Sequence, residues 1–371
     1  MPKKKNNIKK IIRYVHLYAG LAAGLVLSIV GITGSLYVFE PEIASLLEKK
    51  IYHTEKSETL FQDDIAIATY IENLANKDIE SIQWPKRGRE TYVFKFFDDD
   101  QWYFFDQSTG ELYSGRNGLG NDMFTLILDL HTTLKMGETG RIITGVASLL
   151  FAFLMLTTGL YLWWPNNKGR RKSSFKIKWD AKKKRLNYDL HNVTGFYFFL
   201  PLFLLGFTGA AFYFDDEMQW VINKVTFSAP AEVSVFDMET EPYKSTKDYL
   251  STQEALSEMN KYYPEHYKRN FWMTRELDGA LSFAYQERID IHAGAVPLIF
   301  LRADPVTGKI TGENNPDKMP RGASFMANWH LPIHFGEFGG IFTRILWFFS
   351  GLLPAFLTYT GAKIWWGRAK T

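Results

Sequence analysis

The chain has 371 residues, a net charge of +3 and a mean hydropathy of −0.17, averages that fit an ordinary water-soluble protein. Their distribution excludes one, because four mostly apolar stretches are each long enough to cross a hydrocarbon core of roughly 30 Å at about 1.5 Å per helical residue. Cysteine is absent, which excludes disulfides, thiolate metal sites, covalently attached c-type haem and a cysteine nucleophile, so that any metal chemistry falls to His, Met, Tyr or carboxylates.

In chain order, residues 1–39 form a basic N-terminus and a first span whose apolar run, 11–39, is too long for a signal-peptide core and is followed by no clear small-x-small cleavage site. It is expected to be a retained anchor. Residues 40–140 form a polar block in which the apolar spacing predicts a helix over 63–76 and strands over 79–84, 91–97 and 102–106, closed by the turn Gln107-Ser108-Thr109-Gly110. A second span is expected at 141–164, a basic loop at 165–189 and a third span at 190–214. Residues 215–340 form a second polar block with a helix over 251–262 and strands over 279–285 and 298–304, ending in Val306-Thr307-Gly308. The fourth span, 341–366, leads to a short tail, 367–371. The expected fold is a membrane protein of four transmembrane helices arranged as two parallel repeats, each carrying an inserted α+β domain.

Charge sets the orientation. The N-terminus carries Lys3, Lys4, Lys5, Lys9, Lys10 and Arg13 with no acid, the loop 165–189 carries ten Lys or Arg against Asp180 and Asp189, and Arg368 and Lys370 close the chain. Each large block instead carries nineteen acids, against ten and twelve bases. Basic short loops stay inside, so the termini and the central loop are expected in the cytoplasm and both blocks in the periplasm, across a bacterial inner membrane.

The chain also repeats itself. A constant offset of 175 matches His16 with His191, Gly20 with Gly195, Gly31 with Gly206, Thr33-Gly34 with Thr208-Gly209, Phe39 with Phe214 and Glu42 with Glu217. The second member of each half repeats as Leu130-His131, Arg141, Thr158-Gly159 and Trp163-Trp164 against Ile333-His334, Arg344, Thr360-Gly361 and Trp365-Trp366. Both halves have an even number of spans, so they share one orientation and are expected to pack about an axis along the membrane normal.

A helix–strand–strand unit ending in D-x-x-T-G occurs twice, at Asp106–Gly110 and Asp304–Gly308, between spans that begin H-x-x-x-G and end T-G-x-x-x-W-W. In this the chain resembles the PepSY-associated transmembrane family along essentially its whole length. The resemblance implies PepSY-like periplasmic domains and, by analogy with inner-membrane ferric-siderophore reductases of that family, two non-covalent b-type haems. Some relatives carry a fused flavoprotein domain. Here no G-x-G-x-x-G follows a strand, so a separate cytoplasmic or quinol electron donor is expected.

The histidines support the same expectation independently. Of eight, at 16, 53, 131, 191, 266, 292, 330 and 334, four lie at span boundaries in repeat-related pairs, and an imidazole near the bilayer core needs a partner. His16 with His191, and His131 with His334, are the expected metal ligands of an inner and an outer bis-histidine haem. Gly20 and Gly195, one turn beyond the inner histidines, would let a porphyrin lie against the backbone. Arg13, Arg141 and Arg344 are the candidates for propionate binding. For the outer site the sequence offers both His330 and His334; the repeat alignment favours His334, because both it and His131 lie ten residues before an arginine, whereas His330 aligns with Ile127. Pro332 argues against an unbroken helix there. His330 is expected near the exposed haem edge, as the catalytic contact to the acceptor.

The paired tryptophans read as an aromatic belt, Asp98-Asp99-Asp100 as a solvated turn, and His53, His266 and His292 as domain residues. No hydrolase triad spacing, H-E-x-x-H, P-loop or nucleic-acid patch is present. The expected activity is transfer of electrons from the cytoplasmic side to a ferric siderophore. The alternatives are a quinol-linked cytochrome b with another periplasmic acceptor, and a haem-free sensor or peptidase-regulating protein.

Overall fold

Apolar runs of this length commit the chain to long helices, and the computed structural model bears this out, describing residues 2–86, 88–115, 119–165, 171–229, 249–262, 272–275, 280–286, 298–315 and 318–369. His266 and His292 lie outside the described residues. Two compact units result: one of residues up to Val38, Leu126–Gln219 and Ile333 onward, the other of Phe39–Thr125 and Trp220–Pro332.

The elements in chain order begin with α1 (Pro2–Tyr37), α2 (Glu40–Leu47), α3 (Lys49–Tyr52) and α4 (Asp64–Ala75). The strands β1 (Ile79–Gln83), β2 (Tyr92–Phe96), β3 (Trp102–Asp106) and β4 (Glu111–Ser114) follow. Next come α5 (Leu119–Thr133), α6 (Gly137–Leu149), a π-helical turn at Leu150–Met155, α7 (Leu156–Trp163), α8 (Arg171–Ser174), α9 (Lys183–Tyr197), α10 (Phe199–Ala211), α11 (Asp215–Thr226) and α12 (Thr252–Tyr262). The second strand set is β5 (Trp272–Arg275), β6 (Leu281–Gln286), β7 (Leu298–Ala303) and β8 (Ile310–Asn314). Then α13 (Arg321–Ser324), a second π turn at Phe325–Trp329, α14 (His330–His334) and α15 (Gly340–Ala369) complete the chain.

Three helical segments, Asn7–Tyr37, Gly137–Trp163 and Glu337–Gly367, are long and apolar enough to span a bilayer, and α9 with α10 makes a fourth if that bent pair is one span. The 66° bend between them falls at Phe198. Its cause is Pro201, which supplies no amide to the carbonyl of Tyr197 and whose ring clashes with it, so α9 stops there. Without a hydrophobic drive between helices in lipid, close approach depends on small residues. At the α1–α15 crossing a Cβ on Gly31 would lie 2.1 Å from the Gly351 carbonyl oxygen, and the Ser35 hydroxyl donates to the Phe348 carbonyl at 2.8 Å.

The other unit is built on one antiparallel sheet in the order β4-β3-β2-β1-β5-β6-β7-β8. The two polar blocks, read from sequence as two separate small folds, thus share a sheet. Their first strands pair, Ser81 opposite Thr274, Ile82 opposite Met273 and Gln83 opposite Trp272, and the Ser81 hydroxyl donates to the Met273 carbonyl at 3.0 Å. One face carries the core, where α4 (Ile67, Ala68, Ile71) and α12 (Ala255, Leu256, Met259) cover Phe94, Phe105, Phe283 and Leu301. The Glu72 carboxylate ties the two helices by accepting from the Thr252 hydroxyl and the Gln253 amide, each at 2.7 Å. Both D-x-x-T-G turns form as read. Asp106 Oδ1 accepts from the Ser108 amide and hydroxyl, and Asp304 Oδ1 from the amides of Val306 and Thr307 and the Thr307 hydroxyl. Gly110 and Gly308, at φ +79° and +68°, supply the left-handed residue that each turn needs.

Candidate functional site

Within the helical unit the four boundary histidines come together in two pairs. His16 of α1 and His191 of α9 have ring centroids 6.4 Å apart with planes at 88°, and His131 of α5 and His334 of α14 have centroids 6.0 Å apart at 54°. These are the pairings that the repeat predicts. Along α1, His16 and the Thr33-Gly34 step that carries His131 are 17 residues apart, which sets the two pairs about 25 Å apart on the helix axis.

Each histidine is seated on a threonine of the helix beside it. His16 Nδ1 lies 2.9 Å from Thr158 Oγ1, His191 Nδ1 3.0 Å from Thr360 Oγ1, and His334 Nδ1 2.8 Å from Thr208 Oγ1. His131 Nδ1 lies 2.8 Å from the Val30 carbonyl and 3.5 Å from Thr33 Oγ1. The four hydroxyls already donate one turn back along their own helices: Thr33 to Ile29, Thr158 to Leu154, Thr208 to Leu204 and Thr360 to Phe356. A hydroxyl that has spent its proton, like a carbonyl, can only accept, so all four histidines carry their proton on Nδ1. The lone pair then resides on Nε2, the tautomer that ligates a metal.

A glycine follows each of these threonines and makes room for the ring. A Cβ would stand 3.1 Å from His16 Cε1 at Gly159, 3.2 Å from His191 Cε1 at Gly361, 2.6 Å from His131 Cε1 at Gly34 and 3.7 Å from His334 Cε1 at Gly209. The Thr-Gly steps were legible as repeat signatures; their pairing with the histidines was not, since only the fold brings residues 98 to 169 positions apart into contact.

Two imidazoles bound through Nε2 to opposite sides of one metal, with bonds of about 2 Å and ring centres about 1 Å further, have centroids about 6 Å apart. Both pairs match that separation. Among the described residues no three His, Asp or Glu side chains cluster as for a bare ion, so each pair offers two donors only. That set suits a group which brings its own equatorial ligands.

The remaining candidates divide. Gly20 and Gly195 face repeat-equivalent side chains, a Cβ meeting Met155 Cε at 2.6 Å and Leu357 Cδ2 at 3.9 Å. Arg13 is exposed. Arg141 donates to the Phe212 carbonyl at 3.2 Å and Arg344, which is buried, to the Val38 carbonyl, so each guanidinium caps the C-terminal end of a span from the other half. Pro332 sits inside α14 after all. Its ring is accommodated because the wide π turn just before it relaxes the i−4 spacing that the ring would violate. His330, read as lying at an exposed edge, is buried. Trp163, read as part of the lipid-facing belt, is also buried, stacked on Phe196 at 3.9 Å with its indole donating to the Ser174 carbonyl, whereas Trp164, Trp365 and Trp366 are exposed. Asp99 is a turn anchor. Hydrogen bonds from the Lys77 ammonium, the Gln101 amide and the Tyr103 hydroxyl hold its carboxyl down at about 2.

One grouping has no sequence signal. His53 bonds Ser45 Oγ through Nε2 at 2.8 Å and lies 3.3 Å from Glu90 through Nδ1. The order resembles a hydrolase relay, but Ser45 is buried on α2, where it ties that helix to the end of α3 rather than presenting a nucleophile.

A helical unit with membrane-length segments, joined in sequence to an antiparallel sheet unit, defines a membrane-anchored two-part protein. The sequence matches the PepSY-associated TM region over residues 13–368, and the chain belongs to that family. No curated protein matches the sequence.

Proposed function

We propose that the two histidine pairs seat two non-covalent b-type haems, His16 with His191 and His131 with His334, in a haem-dependent oxidoreductase of the bacterial inner membrane. The observation that supports this most directly is that the four imidazoles meet in two pairs whose centroids lie 6.4 and 6.0 Å apart, each with Nδ1 turned to a threonine hydroxyl or a carbonyl oxygen. In this reading the bent pair α9–α10 serves as the third of four spans. The basic N-terminus and central loop lie in the cytoplasm, which makes His16 and His191 the inner pair, and the sheet unit lies in the periplasm.

Held by His16 with His191 and by His131 with His334, such a group would supply reversible one-electron exchange, and two protein donors for each group would favour electron transfer over oxygen activation. The chain's own residues turn Nδ1 of each imidazole to an oxygen acceptor and hold the rings in pairs. The proposed substrate is a ferric siderophore, because one electron converts its iron to the ferrous ion, which hard oxygen ligands hold more weakly. A separate cytoplasmic or quinol donor supplies the electron. This choice of acceptor rests on analogy with the family's ferric-siderophore reductases.

The test is spectroscopic. Protein purified in detergent should show a Soret band and about two haems b per chain. His16→Ala should lose one, while His53→Ala loses none. His334→Ala should lose the other haem together with external ferric-chelate reduction, and His330→Ala should keep the haem spectrum and at most slow reduction. A colourless wild-type protein from haem-sufficient cells would refute the proposal.

A further inference from the structure

We infer that Thr158, Thr208 and Thr360, of three of the four Thr-Gly steps, are positioning residues that set the tautomer, and hence the ligand strength, of the histidines they hold, and that the His131–His334 pair is built unequal, His131 resting on main chain instead. The inference rests on the proposed haem function for its redox consequence, but not for its structural content. Three histidines bond a threonine oxygen at 2.8–3.0 Å, whereas His131 takes the Val30 carbonyl at 2.8 Å and has Thr33 only at 3.5 Å. Thr33 and Thr208 are equivalent in the repeat, and both hydroxyls donate to carbonyls of their own helices, Thr33 to Ile29 at 2.8 Å and Val30 at 3.0 Å, Thr208 to Leu204 at 2.6 Å and Leu205 at 3.4 Å. The two differ in what they do for the histidine.

The chemistry follows from the acceptor. A hydrogen bond from Nδ1–H shifts electron density toward Nε2 and makes the imidazole a stronger donor, which favours the more highly charged metal state. At His334 the Thr208 hydroxyl oxygen, 2.8 Å from Nδ1, is a side-chain acceptor that substitution can remove. At His131 it is main chain, which substitution at Thr33 leaves in place.

Thr208→Val and Thr33→Val form the decisive pair. Valine keeps the shape of threonine and in both cases removes the same bond to the helix backbone, so a general packing role would affect the two alike. With the full chain in detergent, Thr208→Val should speed haem transfer to apomyoglobin about 10- to 100-fold, the usual cost of removing such a partner. It should also raise the midpoint potential of the outer haem. Thr33→Val should leave both near wild type, and Thr208→Ser should restore both. In the ¹⁵N spectrum of histidine-labelled full chain freed of haem, wild type should show the four seated imidazoles as Nδ1–H. Thr208→Val should move one of them toward a tautomer mixture and Thr33→Val none. Equal effects of the two valines, or no effect of Thr208→Val on tautomer or potential, would overturn the inference. A wild-type protein that binds no haem would instead overturn the proposed function, and the ¹⁵N comparison would still decide this one.

Discussion

Substituting alanine at Gly34 and at Gly209, which are equivalent in the repeat, should have opposite outcomes. At Gly34 the new Cβ would stand 2.6 Å from His131 Cε1 and 3.0 Å from its Nδ1. Carbon atoms in contact settle at about 3.5–4.0 Å, so the ring must retreat by about 1 Å. That stretches the 2.8 Å bond to the Val30 carbonyl past the hydrogen-bonding range. Overpacking costs about 1–3 kcal/mol and a lost hydrogen bond about 1 kcal/mol. The gain of alanine over glycine within a helix, about 0.5–1 kcal/mol, offsets part of this. Gly34→Ala should therefore destabilise the helical unit by about 1–3 kcal/mol and loosen the outer haem. At Gly209 the nearest atoms are Ser148 Oγ at 3.3 Å and His334 Cε1 at 3.7 Å, where a methyl fits with little adjustment, so Gly209→Ala should change stability by less than about 1 kcal/mol. At about 2–4 °C per kcal/mol the difference is visible in thermal unfolding followed by circular dichroism, with haem per chain measured in parallel. If both variants melted together, the His131 ring would not lie against Gly34 and the seat described here would be wrong.

Further outcomes follow from other residues. Pro201→Ala should reduce the 66° bend between α9 and α10, read as a longer distance between spin labels near Asp189 and Ala210; an unchanged distance would show that packing rather than proline bends the chain. Burial pushes the Asp106 carboxyl up, but hydrogen bonds from the Ser108 hydroxyl and from the Glu55 and Ser108 amides outweigh it and hold the group below its ordinary range. Its contribution is therefore present above the ordinary carboxylate value of about 3.9 and lost as pH falls below that, so denaturant unfolding of the sheet unit should weaken there. Asp106→Asn should remove about 1.5–3 kcal/mol at neutral pH and flatten that dependence. Reporter fusions after Lys172 should read cytoplasmic, and fusions after Gly115 or Gly312 external; an external reading at Lys172 would reverse the proposed electron direction.

What the chain discloses before folding depends on whether a feature is local. The α4 helix was read as 63–76 and forms as Asp64–Ala75, because Asp63 caps its start and left-handed Asn76 ends it, both nearest-neighbour effects. The strands β4, β5 and β8 are not evident in the sequence: β4 and β5 have four residues each, β5 is defined by pairing with β1 from the other half of the chain, and β8 carries Gly312 at its centre and Asn314 at its end, residues that strands disfavour. Repeat arithmetic found the histidine pairs because duplication preserves equivalent positions. It could not find their threonine partners, since Thr33 and Thr208 look like ordinary small residues of a span until helix packing brings His131 and His334 beside them. The arginines are legible as span-end charges, but their bonds to carbonyls at the ends of helices of the other half are not, because those also depend on how the helices pack.

Those bonds together divide the work of holding the helical unit. Within each half the two spans are pinned at both ends by a reciprocal exchange: α1 gives His16 to Thr158 and receives His131 beside Thr33, and the second half does the same with His191, Thr360, Thr208 and His334. Between halves, Arg141 bonds the Phe212 carbonyl and Arg344 the Val38 carbonyl, each reaching into the repeat that does not contain it. Polar bonds between helices in a bilayer contribute about 0.6–2 kcal/mol each, and together with the close crossing of α1 and α15 at Gly31 and Gly351 they specify which helix faces which. In the proposed function a histidine here is therefore both a ligand and a peg. His→Ala removes the two together and should lower helix stability even where it also abolishes a haem, whereas Thr→Val at Thr158, Thr208 or Thr360 leaves the imidazole in place and removes the oxygen that faces its Nδ1, together with the threonine's bond to its own helix. The separation of those roles lies at the threonines.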